Sequence, residues 1–201
     1  MPHLLRPLLW TLLAYLIGGI PWGLLLVRAF KGVDIRTIGS GNIGATNAFR
    51  AGGKPIGFLT LALDFLKGFV PTWLGLGWFG STWGLVAGIA AILGHTFPVY
   101  LGFRGGKGVA TGAGVLLALS PSAFVGAAVV WFLVAWLVGY VSLASMLAAV
   151  TAALVVWFTP ASPLLRGVLA VVAFLIVVRH HSNIRRLIQG QEPKIGWRLR
   201  K

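Results

Sequence analysis

Apolar residues run along this chain in long blocks, near Leu5 to Val27, Ile56 to Phe79, Thr82 to Leu101, Val109 to Leu119, Ala123 to Val138, Leu143 to Phe158 and Leu164 to Val178. A bilayer core about 30 Å thick is crossed by roughly 20 apolar residues, each adding about 1.5 Å of helix, and several blocks meet that length. Turn-forming punctuation separates them: Gly80-Ser81, Gly105-Gly106, Ser120-Pro121-Ser122 and Pro160-Ala161-Ser162-Pro163. The run from Val109 to Tyr140 holds 32 residues. As one helix it would be about 48 Å long, so it reads as two spans. The first block is too long for a signal-peptide core, lacks a convincing small-residue cleavage site and is followed by further spans, so it reads as a membrane helix.

Composition agrees: 58% of the 201 residues are hydrophobic and 10% charged, well outside the balance of a soluble domain. Charge then sets the orientation. Seventeen Lys and Arg against three acidic residues leave +14, and Lys and Arg stay on the cytoplasmic side of membrane helices. With seven spans, the segment from Arg28 to Lys54, the loop carrying Arg104 and Lys107 and the tail from Arg179 onward share one face, which holds 14 of the 17 basic residues. Merging two helices into one would send the tail outside. The expected fold is therefore an all-α integral membrane protein with seven transmembrane helices, N-terminus outside and C-terminus cytoplasmic. It forms a single domain over residues 1–201, with cytoplasmic loops about 28–55 and 102–108 and a tail about 179–201. No internal repeat is seen, which disfavours the duplicated transporter folds.

The excess of cations calls for an anionic counterpart: lipid head groups, nucleic acid or a phosphorylated substrate. Nucleic acid fits poorly, because the basic residues flank membrane spans and lack stacking aromatics in a soluble module. There is no cysteine, which removes disulfides, thiolate metal sites and a Cys nucleophile. The three carboxylates, Asp34, Asp64 and Glu192, are too few for paired-acid mechanisms, and four scattered histidines make no credible zinc site. Neither a metal nor another cofactor is expected. From Gly108 to Leu165 there is no charged residue at all, so charged chemistry falls to the cytoplasmic loops.

Four clusters there carry candidate chemistry. In Gly39-Ser40-Gly41-Asn42-Ile43-Gly44-Ala45-Thr46-Asn47-Ala48-Phe49-Arg50, glycines allow converging backbone N–H groups, Ser40, Asn42, Thr46 and Asn47 add neutral hydrogen-bonding groups, and Arg50 can grip two phosphate oxygens. The same run also reads as a flexible interfacial turn. Gly94-His95-Thr96-Phe97-Pro98 leads into Phe103-Arg104-Gly105-Gly106-Lys107-Gly108. That glycine turn at a helix start suits an anion, with Lys107 as a point charge, although a lipid-phosphate anchor would look similar. It lacks the GxxxxGK[ST] spacing of a nucleotide-binding loop. His95 reads as a packed histidine near a helix end. His180 and Asn183, three apart, share a helical face and read as a site, whereas Arg185, Arg186, Arg198, Arg200 and Lys201 read as lipid-surface contacts. Ser142 and Ser145 sit at a cytoplasmic helix start, where capping is the default role. Asp64 and Lys67, at i and i+3 in the second span, read as a mutually neutralising structural tie near the cytoplasmic third of that helix.

Taken together, Gly39-Ser-Gly-Asn-Ile-Gly-Ala-Thr-Asn47, Asp64-Phe-Leu-Lys67-Gly, Gly94-His-Thr-Phe-Pro98 with Gly105-Gly-Lys-Gly-Val-Ala-Thr111, Ser142-Leu-Ala-Ser145 and His180-X-X-Asn183-Ile-X-Arg-Leu187 resemble, in order, the motif series of bacterial acyl-phosphate:glycerol-3-phosphate acyltransferases. The resemblance implies a seven-helix inner-membrane enzyme whose active site faces the cytoplasm. It implies transfer of a fatty acyl group from acyl phosphate to the 1-hydroxyl of glycerol 3-phosphate, yielding lysophosphatidic acid and phosphate for phospholipid synthesis. A peripheral phosphate acyltransferase that makes the donor is the implied functional partner. Other glycerolipid acyltransferases share a His-x₄-Asp pair, and none of the four histidines here has an Asp five residues on. Acyl phosphate carries a good leaving group and needs electrostatic help more than a strong base. On this reading Lys107, Arg50 and the Gly105 and Gly106 amides hold phosphate, and Ser40, Asn42 and Asn47 shape the first loop around it. His180, Asn183 and Ser145 orient the acceptor and polarise the acyl carbonyl, and the donor's own phosphate takes the hydroxyl proton. The rival classes are a transporter of phosphorylated anions and a non-enzymatic binder of anionic lipid.

Overall fold

The computed structural model describes residues 2–195, and among these the regular structure is entirely helical. The chain divides after Leu119 into two compact units. In the first unit the leading apolar block is not one helix. It breaks into α1 (Pro2–Gly19) and α2 (Trp22–Lys31), because Pro21 brings no N–H and disfavours helical backbone at Ile20. The segment read as loop contains α3 (Ala45–Gly52), a short helix with an apolar side against the core and a polar side outward. Next come α4 (Lys54–Phe79), α5 (Ser81–Thr96) and α6 (Val109–Leu119). The third apolar block continues past α5 only as a 3₁₀ turn, Val99–Leu101, since Pro98 ends the helix.

Glycines bring these helices together at backbone distance. A Cβ on Gly18 would overlap the Ala91 carbonyl, and one on Gly94 the Tyr15 carbonyl, which fixes α1 against α5. Gly68 lies against the Thr111 carbonyl and Gly114 against that of Phe65, so α4 and α6 meet in the same way. Gly84 faces Leu76 and Gly88 faces Thr72. This antiparallel register of α4 and α5 brings the end of α5 level with Asp64, about 15 Å along α4 from its first residue. Under the first loop Leu24, Val27, Ile35, Ile43, Ala48 and Ile56 form an apolar core, and Leu101 of the second loop packs on it.

The second unit holds α7 (Pro121–Val138), α8 (Val141–Val155), α9 (Pro163–Arg179) and α10 (His181–Ile188). The Ser120-Pro121 break separates α6 from α7, and Ser162 caps α9 by accepting from the Leu165 N–H at 3.2 Å. Phe132 and Trp136 of α7 and Val171 and Phe174 of α9 stand 65–71% exposed, an apolar surface suited to hydrocarbon.

Among the described residues, five helical stretches are long and apolar enough to cross a membrane: His3–Lys31, Lys54–Phe79, Ser81–Leu101, Pro121–Val138 and Val141–Phe158. A sixth is reached if α9 and α10, bent by 56°, count as one. Of the two helices outside these stretches, α3 and α6, the more apolar α6 has 11 residues and is about 16 Å long, short of a full bilayer core.

Candidate functional site

In the first loop Asp34 caps a 3₁₀ turn, Ile35–Thr37, accepting from the Arg36 N–H at 2.9 Å and from the Arg36 guanidinium at 2.6 Å. Those bonds hold the Asp34 carboxyl down to about 2. The hub of the loop is Asn47, 1% exposed. Its amide donates to the carbonyls of Ile35, Ile38 and Asn42 at 2.9–3.0 Å, and its Oδ1 accepts from the Ser40 N–H at 3.2 Å. Asn42 closes a turn by accepting from the Gly44 N–H at 2.9 Å. The Asn47 amide and the Asn42 Oδ1 are therefore spent on loop geometry. Ser40 and Arg50 remain exposed on its surface, beside Gly39, whose φ of 58° a side-chain-bearing residue would resist.

The second loop folds back on the end of α5. Tyr15 donates its hydroxyl to the Phe97 carbonyl at 2.7 Å. The N–H groups of Gly105 and Gly106, read from the sequence as phosphate donors, are instead given to the carbonyls of Thr96 and His95 at 3.1 and 3.0 Å. Their lack of a Cβ is what lets the turn lie flat, since a Cβ on Gly106 would overlap His95 Nε2. Just beyond this turn comes the first turn of α6, whose N–H groups an α-helix leaves without intrahelical partners. Lys107 is half-buried just before them.

Asp64 and Lys67 pair at 2.7 Å, and both side chains are within 3% of complete burial. They stand near the middle of α4, and the cation also reaches the α1–α2 break: Lys67 Nζ donates to the Ile20 carbonyl at 2.7 Å.

In the second unit a single carboxylate gathers the polar residues. Glu192 Oε1 accepts from Ser142 Oγ at 2.7 Å and Asn183 Nδ2 at 2.6 Å, and Oε2 accepts from Arg186 Nε at 2.7 Å. Burial pushes the Glu192 carboxyl up, but these three donors and the Arg186 charge outweigh it and leave it below its ordinary value. Sequence reasoning missed Glu192 because the only signal was its being one of three carboxylates. Two readings change with it. Arg186 is held by Glu192 rather than given over to lipid, and Ser142 donates to Glu192 instead of capping α8. Ser145 is also engaged, donating to the Val141 carbonyl at 2.8 Å and accepting from Trp131 Nε1 at 3.2 Å, so its proton is committed within the helix pair. Arg198, Arg200 and Lys201 lie outside the described residues.

His180 is 3% exposed, and its Nδ1 sits 2.7 Å from the Ile176 carbonyl. A carbonyl only accepts, so Nδ1 carries the proton and Nε2 is the accepting nitrogen of the neutral ring. The backbone thus fixes both orientation and tautomer in a histidine one turn from Asn183.

Residues 8–190 match the family model described as glycerol-3-phosphate acyltransferase. The chain belongs to the glycerol-3-phosphate acyltransferase family. Relatives of that name in Geobacter sulfurreducens and Erythrobacter litoralis are 47% and 44% identical, over 95% and 98% of this chain and 98% of each relative. Among solved structures, PlsY (YgiH), an integral membrane glycerol 3-phosphate acyltransferase, is similar in its glycerol 3-phosphate form, with 42% identity, a TM-score of 0.91 and coverage of 95% of this chain and 96% of that one. Its lysophosphatidic acid form is similar with a TM-score of 0.88. Membership of the acyltransferase family agrees with the apolar spans described above and makes this a multi-pass membrane protein.

Proposed function

We propose that this glycerol-3-phosphate acyltransferase takes its acyl group from acyl phosphate and delivers it to the 1-hydroxyl of glycerol 3-phosphate, releasing phosphate and lysophosphatidic acid. The observation that carries the reading is the full-length likeness to a relative solved with glycerol 3-phosphate and with lysophosphatidic acid. The donor choice follows from the chemistry: a mixed anhydride expels phosphate readily, and what it asks of a protein is cationic and N–H stabilisation. In the first unit Lys107, the start of α6 and exposed Arg50 with Ser40 hold phosphate oxygens, with Asn42 and Asn47 shaping the loop. In the second unit His180 Nε2 accepts from the acceptor hydroxyl and orients it, Asn183 being held for the same task by Glu192. The proton passes finally to the departing phosphate. The chain forms a single acyltransferase domain.

The basic loops and tail support a topology of seven membrane elements, with α6 as the short one, the N-terminus outside and the active face toward the cytoplasm of a bacterial inner membrane. A peripheral phosphate acyltransferase supplies the donor. Protein purified in detergent should release phosphate from acyl phosphate only when glycerol 3-phosphate is added. Release without the acceptor, or none under either condition, overturns the proposal. Lys107→Ala should raise KM and lower kcat together.

A further inference from the structure

One buried polar set has no part in those assignments: Asp64 and Lys67 of α4 and His95 of α5, none more than 4% exposed. Ionisable side chains within a span are costly, and an ion pair is frequently replaceable by apolar residues without loss of stability. Retaining this one calls for a task that packing alone does not supply. Its neighbours define that task. Lys67 Nζ holds the Ile20 carbonyl at the α1–α2 break and Asp64 Oδ1, each at 2.7 Å. The same carboxylate oxygen lies 3.8 Å from His95 Nδ1. At the other side of the imidazole, Gly106 rests against Nε2, and the His95 carbonyl accepts the Gly106 N–H at 3.0 Å. Lys107 is the next residue. A turn made of successive glycines has no side chains with which to hold its own shape, and Gly108 adds a left-handed φ of 82°. Its position has to be imposed from beneath.

We infer that Asp64, Lys67 and His95 are positioning residues, forming a buried strut that runs from the α1–α2 break to the Gly105–Gly106 turn and fixes where the Lys107 ammonium stands. The inference rests on the phosphate-holding role given to Lys107 above. A pair that merely neutralised itself would influence how much protein folds, but not the affinity of the folded protein for phosphate-bearing substrates.

The test is a double-mutant cycle on purified protein with Asp64→Asn, His95→Gln and the two combined, reading KM for each substrate, kcat and Tm. Each single change should raise KM for a phosphate substrate by about tenfold or more, as expected when a binding group is displaced by a fraction of an ångström. The double variant should be no worse than the poorer single one, because both cut the same strut. Unchanged KM with a lowered Tm, or KM factors that multiply, overturns the inference. Where Asp64→Asn does not fold, Asp64→Leu combined with Lys67→Met removes both charges at similar volume and is read in the same way. Lys107→Ala separates the two claims: wild-type KM in that variant defeats the phosphate assignment, whereas a raised KM there beside unaltered strut variants defeats only the strut.

Discussion

Two buried carboxylates, one in each unit, are stabilised by different means. Asp64 stands midway along a span and takes its main partner from its own helix, the Lys67 ammonium one turn on. Glu192 lies past the last helix and is held by a hydroxyl, an amide and a guanidinium from positions as far as 50 residues away. Depth accounts for the contrast. Inside hydrocarbon a charge has no water to fall back on, so an opposite charge must be close and guaranteed, which a neighbour at i+3 provides. Past the last helix neutral donors and a partly exposed Arg186 suffice, and the carboxylate gathers distant segments. Asp64 therefore conditions one helix and what leans on it, while Glu192 fastens the starts of α8 and α10 to the tail.

The contrast can be broken most forcefully at Asp64. Asp64→Ala leaves the Lys67 ammonium buried without its counter-charge and should cost about 3–5 kcal/mol, read as a fall in Tm in detergent. Equal stability would show that the ammonium finds water or another acceptor at that depth. Glu192→Gln comes next: a carboxamide keeps the shape but turns a donor toward Arg186, for a loss of about 1–3 kcal/mol. This variant also isolates a pH effect. The folded-state pKa of Glu192 is lowered from an ordinary 4.5, so its carboxylate contributes stability above that pH and loses the contribution as pH falls through the folded value. Below pH 4.5 wild-type Tm should drop while the Glu192→Gln curve stays flatter there; parallel curves would remove Glu192 as the cause. The smallest effect belongs to Asp34, whose ion pair with Arg36 is exposed. Asp34→Asn should leave Tm unchanged, and any shift that is seen should vanish in high salt.

How much of this was legible in the sequence follows the same division by distance. The Asp64–Lys67 pairing could be read directly from i and i+3, and the Ser120-Pro121 break from turn chemistry, since both are local. The α1–α2 break is also local, in Pro21, but in the sequence a long apolar run outweighs one proline, and the donor to its Ile20 carbonyl, Lys67, lies 47 residues away. From the sequence, the Asn47 amide suits an anion as well as it suits the shaping of a glycine-rich loop. Only the three carbonyls around it reveal that it is an internal fastener. The amides of Gly105 and Gly106 were misassigned for a related reason, because spacing shows where N–H groups cluster and not which carbonyls already hold them. Glu192 could not be placed at all, since nothing within ten residues hints that it returns to Ser142.

Gly18, Gly68, Gly94, Gly105 and Gly114 each lie where any added carbon would strike a neighbouring backbone carbonyl. Every other amino acid carries at least a Cβ, so any substitution at these positions forces a helix or turn to move. Drift in the first unit is thereby channelled to its lipid-facing side chains, and the arrangement of its helices is shielded from gradual remodelling by the absence of the smallest possible substituent.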